Sequence, residues 1–272
     1  MTSPLRLTAR GSGDDGHRFG VAVPAASSWF TGHFPGRPIL PGIAYLALAQ
    51  RALSEILGRE AALAAVRSLK LRRPVVPGDL PELRIGPPGE DGVARFEVRC
   101  GGAVASQGGV EVWSGPAPAD GSAGEPGLAA AGFPPPEALL PHGPPALLLH
   151  AVSEVAEDAI VAVAEVPSRH PLVVEGRFPA FLALEAAAQA AAALEALGRR
   201  EAPGPRIGYL VGIRDARFAV PSLPAGRRLR VAARLTGGAY PLSMYAVSIG
   251  EIGEAGHEMA TGTLSTFLLA DP

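Results

Sequence analysis

Two stretches of this chain follow one plan, and an internal duplication constrains a fold more tightly than any composition does. In the first stretch, an alternating segment at residues 17–24 leads through a Pro/Gly-rich loop into an apolar helix predicted over about residues 42–57. RSLKLRRPVVPGD, RFEVRC and GGVEVW follow it as strands separated by turns. In the second stretch, LLLHAVSEV and AIVAVAEV precede an apolar helix predicted over residues 180–197. RIGYLVGIRDARFAVP, RRLRVAARL, SMYAVSIG and TLSTFLL come after it. The punctuation repeats too. Pro41 opens one helix and Pro179 the other, where the missing N–H and fixed φ of proline are harmless. Pro74-Val75-Val76-Pro77-Gly78 has a counterpart, one residue longer, in Pro221-Ser222-Leu223-Pro224-Ala225-Gly226.

Residues 115–133, GPAPADGSAGEPGLAAAGF, have no helical or strand period and read as a linker. The organisation expected is therefore a first unit at 1–114, the linker at 115–133 and a second unit at 134–272. Both helices are apolar around most of their circumference, so each should be enclosed by strands rather than laid on a surface. A helix wrapped by antiparallel strands is an α+β arrangement.

Composition removes several classes of function. A net charge of −2 gives no electrostatic basis for nucleic-acid binding. A single cysteine, Cys100, excludes an intramolecular disulfide framework and any multi-cysteine metal site, and reads as a small apolar filler. The N-terminus lacks the apolar core of a signal peptide. The most apolar run, residues 180–194, carries Glu185 and Gln189 and is short for a bilayer. A soluble, cytoplasmic protein without a membrane segment is the expectation. Two motif matches fail on context. GSGDDG (residues 11–16) satisfies G-x-G-x-x-G, yet strand-like HRFGVAV follows it, so it reads as a hairpin turn. His257-Glu258 begins H-E-x-x-H, but the fifth position is Thr261.

Chemistry concentrates in Gly32-His33-Phe34-Pro35-Gly36-Arg37-Pro38-Ile39-Leu40-Pro41-Gly42. Three prolines and three glycines fix this loop's path, and the loop holds His33 just ahead of an apolar helix. Backbone N–H groups at a helix start, Gly42 the nearest glycine, can polarise a carbonyl oxygen. Histidine titrates near neutrality and can act as a general base. Taken alone, the loop is read first as holding a histidine with purely local hydrogen bonds and only second as holding a base.

HFPGRPILPG resembles the H-F-P-G-x-P-x-x-P-G signature of the 3-hydroxyacyl-ACP dehydratases of bacterial fatty-acid synthesis, which have the hotdog fold. RRPVVPGD resembles the segment that follows the helix in those enzymes. LLPHGPPALLLHAVSEV (residues 139–155) is similar to their L-P-H-R-Y-P-F-L-L-V-D segment, with Gly143 for the arginine and His150 for the aspartate. The two halves together most resemble the paired small dehydratases of aryl-polyene biosynthesis, fused here into one chain. The resemblance implies a double hotdog: two antiparallel sheets, each wrapping a long helix, paired as an intramolecular pseudo-dimer.

In that family the site takes its histidine from one hotdog and its carboxylate from the helix of the other. The carboxylate lies fourteen residues after the histidine within one chain. Fourteen residues after His33 stands Ala47, so the first half has the base without the acid. In the second half the matching position is Glu185, but its preceding loop, residues 170–181, is about five residues shorter than the pattern. That loop has no histidine at the equivalent place. The deficits complement each other, implying one composite site of His33 and Glu185 and an empty opposite site. Polyketide-synthase dehydratase domains resemble this logic, with a D-x-x-x-Q/H motif that Glu185-Ala186-Ala187-Ala188-Gln189 matches in spacing. Gln189 shares the face of Glu185 and can orient it or contact substrate. A glutamate in FLALEAAAQAAAAL is otherwise a solvated charge. If buried, it should have a raised pKa and serve as a proton donor.

The implied reaction is dehydration of a 3-hydroxyacyl thioester to the trans-2-enoyl thioester, with His33 as base, Glu185 as acid and Gly42 N–H on the carbonyl. No cofactor is implied, because the substrate brings its own phosphopantetheine thioester. The implied partners are an acyl carrier protein, the acyl thioester itself and, for the fused pair, a further copy of the chain. An acyl thioesterase and a non-catalytic acyl-binding or scaffolding subunit remain open, and a fatty-acid isomerase is a lesser option. Phe34 and Tyr45 are candidate tunnel-lining residues, Tyr45 being equally a core residue. Arg37, Lys70, Arg72 and Arg73 are read first as solvated charges and second as a carrier-protein face. His142, His150 and His170 have no recognisable ligand spacing, so no metal is assigned.

Overall fold

The computed structural model describes residues 5–13, 16–114, 132–198, 207–252 and 258–269; most of the expected linker lies outside them. The first half begins with a hairpin, β1 (Arg6–Gly13) and β2 (Gly16–Ala22), whose register closes at Gly13↔Gly16 as the GDDG turn predicts. Helix α1 (Ala44–Leu57) follows, then β3 (Leu63–Leu71), β4 (Glu82–Ile85), β5 (Val93–Cys100) and β6 (Ala103–Val112). The second half opens with a short helix, α2 (Pro136–Leu139), and continues through β7 (Leu149–Val155), β8 (Ala159–Glu165) and β9 (Arg177–Pro179). Helix α3 (Ala183–Gly198) comes next, followed by β10 (Gly208–Phe218), β11 (Ser222–Pro224), β12 (Arg228–Ala239), β13 (Leu242–Glu251) and β14 (Glu258–Leu268).

The strand order is β1-β2-β4-β5-β6-β3 in the first half and, read from the far edge inward, β7-β8-β12-β13-β14-β10 in the second. With β9 and β11 set aside as a separate ribbon, these are one topology written twice, the helix falling after the second strand each time. The two copies meet along antiparallel β3 and β10, with Leu69 opposite Ile213 and Val66 opposite Ala216. Two six-stranded sheets thereby become one twelve-stranded sheet. The proline straps repeat as well: Val75 O accepts from Leu40 N at 2.8 Å, and Pro221 O accepts from Ala180 N at 3.1 Å. Each strap pins the residue that leads into its helix.

Helix α1 starts at Ala44, two residues later than the proline implies, because Pro41 O first closes a turn with Ala44 N. It ends at Gly58, whose φ of +62° is the left-handed conformation that glycine adopts without penalty. Helix α3 starts one 3-10 turn (Ala180–Leu182) later than expected. Its alanines combine high helix propensity with small volume, so strands approach it closely. Leu46 and Leu53 on α1 and Leu184 on α3 are fully enclosed, and truncating any one to alanine should cost about 2–5 kcal/mol. By length and composition the segment Ala180–Gly198 would suit a bilayer, but 72% of its apolar 18-residue window is buried within the fold, as a core helix is. The strands that sequence reading missed are exposed or too short for a period to register; β4 alternates, but over four residues only. β1 is an exposed polar edge strand, while β4, β9 and β11 are only three or four residues long.

Candidate active site

His33 follows a 3-10 turn (Ser28–Phe30), to which its N–H is bonded through Phe30 O at 3.2 Å. Its own carbonyl accepts from Ile39 N at 2.9 Å, and its ring Nδ1 lies 3.1 Å from Ile39 O. A carbonyl can only accept, so Nδ1 carries the proton and Nε2 presents a lone pair. Burial lowers the pKa of His33 to about 4, against an opposing pull from Glu185 and with a further push from His142. The ring is therefore neutral at physiological pH, in the tautomer a base requires. Phe34 stacks on it with centroids 4.2 Å apart.

Glu185 projects from the first turn of α3 and is 7% exposed. Gln189, one turn on, donates from Nε2 to Glu185 Oε1 at 3.4 Å and to Ala146 O at 2.8 Å. Its Oε1 accepts from Leu148 N at 2.8 Å and Leu149 N at 3.3 Å. Gln189 thus clamps the segment before β7 onto α3 and touches the carboxylate at the same time.

That clamp positions a residue that sequence reading left out of the site. His142 Nε2 lies 3.6 Å from Glu185 Oε1, and its ring centroid is 5.3 Å from that of His33 and 4.7 Å from that of Phe34. The loop carrying it is tied across the two halves by Gly143 N donating to Gly32 O at 2.9 Å. Gly32 has a φ of +80°, and a Cβ there would overlap Gly143 O, so glycine is needed at this crossing. The signal was present in the PHG of LLPHGPP, but a search for metal-ligand spacing along the chain does not detect it.

One expectation is reversed. Burial alone would push the Glu185 carboxyl up. The approach of His142 to 3.6 Å, the neighbouring imidazole of His33 and the Gln189 amide together pull it below the usual carboxylate range. A deep position does not by itself make an acid when imidazoles face it.

A cavity bordered by His33, Phe34, Gly42, Tyr45, His142 and Glu185 runs past these groups. Among the described residues no acceptor takes the Gly42 N–H. Tyr45 is both core and lining: it is 2% exposed, and its hydroxyl has no hydrogen-bond partner among the described residues. Exposed Arg72 and Arg73 border the same cavity, so it reaches solvent beside two positive charges. Lys70 borders a wider, open groove on the outer face with Arg67, Arg84 and Arg95, away from the histidines, and Arg37 is simply exposed. Ala47 is half-buried on α1 and does not border the cavity. His150 is exposed, and His170 is buried against Trp29. His33, His142 and Glu185 offer atoms within 4.8 Å of one another, close enough for a cation to compete for them. Their pairings with one another and with Ile39 O account for the geometry, and no metal is assigned.

Residues 134–272 match the ApeP-like family, described as ApeP dehydratase, and residues 10–109 match the ApeI-like family, described as ApeI dehydratase. A 3-hydroxyacyl-[acyl-carrier-protein] dehydratase FabZ from Anaeromyxobacter sp. (strain K) is 42% identical over 106 residues, covering 36% of this chain and 67% of that protein. The FabZ of Clostridium acetobutylicum is 44% identical over 63 residues, covering 21% of this chain and 45% of that protein. The chain spans about half the length of the first curated relatives it matches. Among solved structures, a trans-AT PKS dehydratase domain from Brevibacillus brevis superposes with a TM-score of 0.69 at 15% identity, covering 97% of this chain and 98% of that one. The dehydratase domain of PpsC from Mycobacterium tuberculosis, in complex with C12:1-CoA, gives 0.66 at 16%, covering 99% and 100%. At such identities the likeness concerns the fold: a double hotdog, complete within one chain.

Proposed function

Because the chain belongs to the ApeP-like dehydratase family, we propose that it removes water from a 3-hydroxyacyl thioester to give the trans-2-enoyl thioester. The observation that carries this reading is the meeting of His33 from one half with Glu185 from the other in a single cavity. The substrate carbonyl bonds to the Gly42 N–H, which stabilises the enolate-like charge that develops as C2 loses its proton. His33 Nε2 takes that proton, and its neutral tautomer suits the task. The departing C3 hydroxyl takes up a proton from the Glu185 side and leaves as water. The substrate is carried by an acyl carrier protein, whose phosphopantetheine enters beside Arg72 and Arg73 and makes a resident cofactor unnecessary. One chain holds one site, and Phe34 and Tyr45 line the acyl path.

The test is to incubate the purified chain with 3-hydroxyacyl-ACPs of graded length and unsaturation and follow the carrier by mass. Loss of water, abolished by His33→Ala and Glu185→Ala, is expected. Wild-type protein that dehydrates none of them, or variants that keep wild-type rates, would sink the reading. Release of free carrier thiol would favour a thioesterase. Stable complexes with another dehydratase, without turnover of its own, would favour a scaffolding subunit.

A further inference from the structure

We infer that His142 is a third catalytic group: the proton given to the departing hydroxyl is held jointly by His142 and Glu185 rather than by Glu185 alone. The inference rests on the dehydration reading and deepens it. Three observations carry it. His142 Nε2 and Glu185 Oε1 are 3.6 Å apart with side chains only 8% and 9% exposed, so the two form one desolvated pair. Both border the same cavity as His33. His142 Nδ1 is buried without a hydrogen-bond partner among the described residues, leaving one ring nitrogen uncommitted while the other faces the carboxylate.

The surroundings favour a proton shared in this way. His33 and Phe34 face His142 from the loop before α1, Glu185 and Gln189 face it from α3, and His170 reaches the pair through the charge of Glu185. No arginine or lysine is among these groups; Arg72 and Arg73 border the same cavity at its exposed side. The imidazoles and the Gln189 amide around the carboxylate hold it below its usual range. An ionised glutamate alone has no proton to give.

The step balances. Before reaction His33 is neutral and the pair carries one proton, as imidazolium and carboxylate. The C2–H bond breaks towards His33 Nε2, its electron pair forms the C2–C3 double bond, and the C3–O bond breaks. The oxygen takes the proton of the pair and leaves as water. His33 is then protonated, and the pair is a neutral imidazole beside a carboxylate, with the total charge unchanged. With the rings of His33 and His142 5.3 Å apart, one water can return the proton and reset the site.

The test uses the full chain with a 3-hydroxyacyl-ACP across pH 5 to 9.5. His142→Gln keeps a polar side chain but cannot ionise; His142→Phe keeps a ring against Phe34. Both should lower kcat at least tenfold at pH 7.5, leave KM within threefold, and move the alkaline limb of the profile at least one unit towards acid. Glu185→Gln with His142→Gln should be little worse than Glu185→Gln alone, as expected of groups acting as a unit. Should either variant fail to fold, histidine-selective 15N NMR of the wild type decides. A His142 ring protonated on both nitrogens at pH 7 supports the assignment, and a neutral ring overturns it. Wild-type activity together with unchanged rates and limbs in both variants would overturn the role of His142 alone. An inactive wild type would overturn the dehydration reading instead.

Discussion

The amide of Gly143 donates to the carbonyl of Gly32 at 2.9 Å, so the loop bearing His142 is laced to the loop bearing His33. Those loops belong to different halves of a duplicated chain, and the bond fixes their spacing one residue away from each histidine. Hotdog pairing along β3 and β10 brings the halves together; this contact sets the site within that pairing.

Gly32→Ala should therefore do more than strain a turn. The φ of +80° costs alanine about 1–2 kcal/mol, and its methyl group would also drive Gly143 O away. Gly36, on the same loop at φ +77°, has open space around it, so Gly36→Ala carries the conformational cost alone. Thermal melts and kcat for the pair separate the two effects. Gly32→Ala should be clearly the less stable and at least tenfold the slower, and equal behaviour would refute the lacing.

Gln189→Ala should be costly for its size. It leaves the Leu148 and Leu149 amides and the Ala146 carbonyl without their side-chain partner. Unsatisfied buried groups cost about 1–3 kcal/mol each, so for these three a total loss of at least about 3 kcal/mol in urea unfolding is expected. A fall in kcat should accompany it, because the same side chain touches Glu185.

Stability should fall as the solution is acidified through a defined window. His33 and His170 are each lowered from 6.5 to about 4, first of all by burial. The unfolded chain thus takes up protons below about 6.5 that the folded chain refuses until about 4. Stability is full above pH 6.5 and declines down to pH 4, by on the order of 3 kcal/mol per histidine. Urea midpoints between pH 7.5 and 4.5 measure this, and replacing His170 with a neutral residue should flatten the slope. Activity should share the acid limb, since His33 must be neutral to act.

How much of this was legible depends on how local the signal was. HFPG and the repeated proline straps are short, rigid and read directly, and they fixed His33, Gly42 and the order of elements. Glu185 was found by comparing the halves. His142 was not, because its place depends on a loop from one half docking on a loop of the other, which no spacing along the chain records. The pKa of Glu185 was misjudged for the same reason: sequence implied its burial but not the imidazoles around it.

The duplicated topology also predicts what restoring symmetry would do. Ala47 stands where the first half would carry its own acid, so Ala47→Glu restores the residue that the second site lacks on that side. A carboxylate without a base is not a dehydratase, and in the second half the buried His170 is packed against Trp29 and already within the field of Glu185. The new side chain would enter a half-buried position against the core, and Arg51, one turn on, is already engaged by Glu55 and Leu5 O. Turnover per chain should therefore stay at the wild-type value while the melting temperature falls by several degrees. Titration with a mechanism-based inactivator should still give one equivalent per chain. A second equivalent, or a doubled rate, would mean that the opposite face of the double hotdog had kept a working base.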